Sequence, residues 1–152
     1  MNGLTRIAAA ASAAVAFALP AAAQEVADCD WRARADAIVE PWDQNSRRFA
    51  NGDVRVALMD VIEPAAGALH ILVLSPPFDE LGGRQCKVIS WQGTLGFSGA
   101  RFGDMLASYN PARGLTLGMD VQIPTPEGGF APRYLELTIN QATGFIDARL
   151  FN

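Results

Sequence analysis

His70 is the single histidine in a chain of 152 residues. Any imidazole general base, Ser-His-Asp triad or multi-histidine metal site would have to be built around it. It lies inside the apolar run Leu69-His70-Ile71-Leu72-Val73-Leu74, with Leu72 and Leu74 on its own side if the run is a strand. That position reads as a neutral core histidine, because burial disfavours the charged imidazole. The functional alternative is a hydrogen-bonding group that lines a pocket. Carboxylates come close in sequence at Asp60 with Glu63 and at Asp79 with Glu80. A glycosidase needs two carboxyl groups facing each other across a sugar cleft, whereas neighbours in an extended loop point apart. Asp79 and Glu80 therefore read as loop charge.

The nucleophile and cofactor patterns are missing. Gly96-Phe97-Ser98-Gly99-Ala100 ends in alanine where a Gly-x-Ser-x-Gly elbow needs glycine. There is no Gly-x-Gly-x-x-Gly and no phosphate loop ending in Lys-Ser or Lys-Thr. No catalytic residue is assigned and no cofactor is expected. No Asp-x-Asp-x-Asp-Gly run is present for calcium, which leaves only a calcium site assembled from separate loops. Cys29 and Cys86 form no Cys-x-x-Cys, and two cysteines with one histidine are too few for the usual zinc set, so no metal is expected. In an oxidising compartment the two cysteines are most simply a disulfide, the alternative being two unpaired thiols. Closing so long a loop would stabilise the fold by about 4 kcal/mol on the chain-entropy account.

The elements that must position these groups are mostly strands. Residues 54–62, 69–74 and 86–91 are apolar at nearly every position, as strands are when both faces are covered. They form the expected core. From Met105 onward the pattern becomes strict alternation: Leu115, Leu117, Met119, Val121 and Ile123 in one run, Leu135, Leu137 and Ile139 in the next. Those strands have one dry and one wet face. A last strand follows over 145–151. The turns at 110–114 and 140–144 each hold a glycine where a positive φ is needed. Gly93, Gly96, Gly99 and Gly103 suggest bulges or a bend by which the sheet turns a corner. In residues 28–40, Trp31, Ala35 and Ile38, followed by Trp42, fall at offsets of four, seven and eleven. This spacing predicts one helix, capped by Asp28 or Asp30 and ended by Pro41, packed on the sheet and pinned there by Cys29. The fold class expected is α+β, mainly β: about seven antiparallel strands in a curved sheet, sandwich or partly closed barrel, with that single N-terminal helix upon it.

Residues 1–23 have Arg6, an apolar stretch over 7–19 and small residues ending in Ala23. They read as a secretory signal peptide cut after Ala23, since the apolar stretch is short of the roughly 20 residues a spanning helix needs. A single β-rich domain is expected over 24–152, with no membrane span, placed in the periplasm or outside the cell. The formal charge of −4 becomes one unit more negative when Arg6 is removed. That balance argues against nucleic acid as a partner.

What remains are loops and a possible interior. Phe78, Asp79, Glu80 and Leu81 lie in one loop and Phe130 in another. Apolar residues on loop tips mark candidate interaction sites, unless they fold back as lids on the core. In a plain up-and-down meander these two loops emerge at opposite ends, and a corner at the glycine series would bring them together. The leading expectation is a non-enzymatic binding or accessory protein of the cell envelope, acting through its loops on another envelope protein. The alternative is a carrier of a small apolar ligand in a pocket of Trp31, Trp42 and His70 between helix and sheet. An enzyme is the third, and it requires His70 to meet a carboxylate in an open cleft.

Overall fold

The computed structural model describes residues 24–152; the expected signal peptide lies outside the described residues. Among them, ten strands form two antiparallel five-stranded sheets that do not close into a barrel. The first sheet takes β1 (Glu25–Asp28), β2 (Ser46–Phe49), β3 (Val54–Asp60), β4 (Leu69–Phe78) and β5 (Arg84–Ser90), in the spatial order β1-β5-β4-β3-β2. The second takes β6 (Gly99–Ala100), β7 (Leu106–Asn110), β8 (Gly114–Pro124), β9 (Phe130–Ile139) and β10 (Ile146–Phe151). Its order is β10-β9-β8-β6, with β7 also paired to β8. The meanders β3-β4-β5 and β8-β9-β10 are the expected runs; β1, β2 and β6 raise the count above the expected seven.

Period-two alternation builds one core from both sheets. Val54, Val56 and Leu58 of β3, Ile71 and Val73 of β4, and Ile89 of β5 join Leu117, Met119, Leu135, Leu137 and Ile139 of the second sheet in a single buried cluster. Each such side chain contributes roughly 1.5–3 kcal/mol on leaving water. The intervening residues of the first sheet are covered as well. Ala57 and Met59 face outward and pack against Ala37, with Ile38, Val61 and Leu72 around them. This second cover is why the first three strands are apolar on both faces.

The cover is not the expected helix. The chain over 28–40 leaves β1, turns at Trp31 and Arg32, makes a single 3-10 turn at Ala35–Ala37 and then bridges Ile38 to Met59. The helical spacing of Trp31, Ala35, Ile38 and Trp42 is real, but both tryptophans are exposed, so the stripe is not a buried face. Three local forces outcompete the helix. Asp30 takes the Arg32 backbone N–H on its own carboxylate at 3.0 Å, a side-chain bond that substitutes for helical pairing. Cys29 donates its N–H to Cys86 O at 3.2 Å and shares a disulfide with that residue, which holds the start of the segment in the sheet. A helix of this length is also marginal without tertiary support.

The chain passes from the first sheet to the second along the glycine series, between β5 and β6. Gly96 is required there by close approach: a β-carbon would lie 2.8 Å from Gly67 O and 2.9 Å from the His70 ring. At the far side of the first sheet, the Arg47 guanidinium donates to the carbonyls of Met105 and Gly103, tying β2 to the segment before β7.

Candidate functional site

His70 stands on the outward face of β4, opposite Met59 of β3, and is fully buried. Its Nδ1 is 2.9 Å from Ser90 Oγ. The same hydroxyl accepts from Arg32 Nη1 at 2.7 Å. Arg32 also clasps the Asp30 carboxylate through Nε and Nη2 at 2.9 and 2.8 Å, and reaches Gly93 O at 3.3 Å. Its side chain is only 3% exposed. Burial, and after it the Arg32 charge, pushes the His70 pKa down to about 4. The Asp30 carboxyl is held below its usual range chiefly by the hydrogen bonds of Arg32.

Serine, histidine and aspartate thus meet, but not as a catalytic triad. The carboxylate orients an arginine rather than the imidazole, and the Ser90 hydroxyl is sealed from solvent between Arg32 and His70. Such a network fixes the N-terminal segment to β5 and opens no cleft. His70 Nε2 has no hydrogen-bond partner.

Trp31 borders a notch of about 100 Å³ with Arg34, Asp36, Asp60 and Ile62, to which neither Trp42 nor His70 contributes. The helix expected beside these three residues is absent; Trp31 and Trp42 are exposed and His70 is buried. At the notch Ile62 holds a φ of 74°, a strained value for a β-branched residue, and gives its N–H to Asp60 Oδ1 at 2.8 Å. Asp36 beside it is held below the usual carboxylate range by hydrogen bonds from Arg34.

The loop between β4 and β5 is organised by Asp79, whose Oδ1 accepts the N–H groups of Leu81 and Gly83 at 2.9 and 2.7 Å. Glu80 is exposed, and Leu81 projects with 97% of its surface free. Phe78 is 46% exposed and carries the Arg84 guanidinium over its ring at 5.4 Å. Arg84 also donates to Asp53 O and Gly52 O at 2.9 and 3.2 Å, fastening the turn between β2 and β3. Gln85 Nε2 donates to Pro76 O at 2.8 Å and to Gly144 O at 2.9 Å, fastening the turn between β9 and β10. Gly144 is itself tight against Pro77, whose ring would come within 2.5 Å of a β-carbon there. Turns of both sheets therefore gather at one end, and Phe78, Leu81 and the 63% exposed Phe145 stand on or beside them. Phe130, 59% exposed, starts β9 at the far end of the second sheet, so the two loops lie at opposite ends.

Arg32, Ser90, Arg84 and Phe145 escaped the sequence reading. Arg32 fell within a segment read as helix and Phe145 within a strand. Gln85 and Arg84 gave one usable signal, polar side chains at the start of an otherwise apolar strand. Among the described residues no group of three His, Cys, Asp or Glu could hold a metal ion, and no helix is long and apolar enough to cross a membrane. No protein-family model, curated protein or solved structure matches the chain.

Proposed function

We propose that this chain is an exported, non-enzymatic binding protein of the cell envelope that engages another envelope protein through the loop end formed by Phe78, Leu81 and Phe145. One observation carries the reading: Phe78, Leu81 and Phe145 stand on or beside turns that the Gln85–Gly144 hydrogen bond and the Gly144–Pro77 approach bring to one end, and all three stay open to water. Large apolar side chains left exposed at one end favour a partner that covers them. The loops are also held in place by Arg84, Gln85 and Asp79, which lowers the ordering cost of binding. A two-sheet sandwich is the scaffold in this reading, and the disulfide accords with an oxidising, extracytoplasmic compartment. The periplasm or the exterior is the proposed location, with residues 1–23 as the leader.

A photoreactive residue placed at position 81 in cells exporting the protein tests this. The expected result is a discrete protein adduct that disappears when Phe78→Ser and Phe145→Ser are added. A folded, exported protein that gives no adduct at 81, or one unaffected by those substitutions, contradicts the proposal.

A further inference from the structure

The outer face of the second sheet carries an open groove of about 660 Å³, within the range of ligand sites and away from the loop end discussed above. It is bordered by Arg101, Asp120, Gln122, Pro132, Arg133 and Tyr134. Two glycines shape it. The Tyr134 ring lies across Gly118, where a β-carbon would come within 2.6 Å of Tyr134 Cζ. Gln122 lies across Gly99 in the same way, its Oε1 2.9 Å from a β-carbon built there. Each flat side chain is thereby laid along the sheet instead of standing up from it, so that an aromatic ring and a planar amide border the groove.

We propose that this groove is a carbohydrate site that takes a neutral, extended oligosaccharide. Sugar rings present C–H faces that pack on an aromatic ring, here Tyr134 with Pro132 alongside, as other apolar groups do. Their vicinal hydroxyls suit planar groups with two hydrogen-bonding atoms: the Asp120 carboxylate accepts, the Arg101 guanidinium donates, and the Gln122 amide does both; Arg133 turns its Nη1 to the carbonyl of Pro132 at 2.7 Å. Charge favours a neutral guest, because the two arginines stand with Asp120 in the lining and Arg101 is already paired to Asp104 at 3.8 Å. Two arginines sharing the lining with a carboxylate do not make the basic track that nucleic acid requires. The groove is open along the sheet, which fits a chain and not an enclosed small molecule.

The test is titration of the purified exported protein with three neutral tetrasaccharides, built of β-linked N-acetylglucosamine, β-linked glucose and α-linked glucose, followed by amide NMR. The expected result is that at least one binds with a Kd below about 1 mM and shifts the amides of Asp120, Gln122 and Tyr134. Tyr134→Ala should weaken that binding by about tenfold or more. Gly118→Ala, which keeps every ligand-facing group but displaces the ring, should weaken it comparably. Unchanged thermal midpoints show that both variants remain folded. No shift with any of the three at about 10 mM, binding indifferent to both substitutions, or shifts at this groove produced by inorganic phosphate or a fatty acid and not by sugars, would overturn the proposal.

Discussion

An imidazole enclosed between an arginine and a serine is tolerated only while it is neutral. The unfolded chain binds a proton at His70 near pH 6.5, whereas the native protein does so only near pH 4. Between those values the unfolded state holds more protons, so stability is complete above about pH 6.5 and falls as the pH drops toward 4. The full loss is on the order of 3 kcal/mol. Arg32 lies against the histidine and opposes its protonation, while Asp30 and Asp60 act weakly in the opposite sense. Urea unfolding across this window should show a steeper decline for the native sequence than for His70→Gln, and equal slopes would refute the assignment. At this scale the sequence showed that His70 was a core residue, from its place in an apolar run. It could not show Arg32, because the salt bridge depends on a turn that the helical spacing of Trp31, Ala35 and Ile38 concealed.

Elements with sustained alternation were legible, and short ones were not. Leu115 to Ile123 and Leu135 to Ile139 alternate long enough to define a face, and the structure buries each of these leucines, isoleucines and their companions as expected. The strands β1, β2 and β6 have four residues or fewer, too short for a period to register. The segment after β1 failed differently: its spacing matched a helix, but a local Asp30 bond and the tie at Cys29 decided its path. That tie joins edge strand β1 to β5 across 57 residues. Replacing both Cys29 and Cys86 by serine should cost about 4 kcal/mol of unfolding free energy, the chain-entropy value for a loop of that size. Denaturant unfolding in the presence and absence of reductant measures it. A loss under about 1 kcal/mol would mean that the sheet hydrogen bonds alone hold the segment.

The molecule as a whole divides its work between a sealed interior and its surface. Both sheets contribute to one buried cluster, the single histidine is locked away, and Leu81 and Phe145 stay in water on the turns that follow β4 and β9. Phe78, Leu81 and Phe130 were visible in the sequence as loop residues. Their separation, and the approach of the turn before Phe145 to Pro77 at Gly144, depended on how the sheets pack, which no local pattern encodes. The central proposal is that the chain is exported and works by holding another protein at the Phe78 end. Native mass spectrometry of the protein drawn gently from its own envelope extract tests it most directly. The account predicts a complex with a second protein, its component chain beginning at Gln24, that dissociates when Phe78 and Leu81 are replaced by serine. A monomer retaining a small apolar molecule, or a chain that keeps residues 1–23, would contradict it.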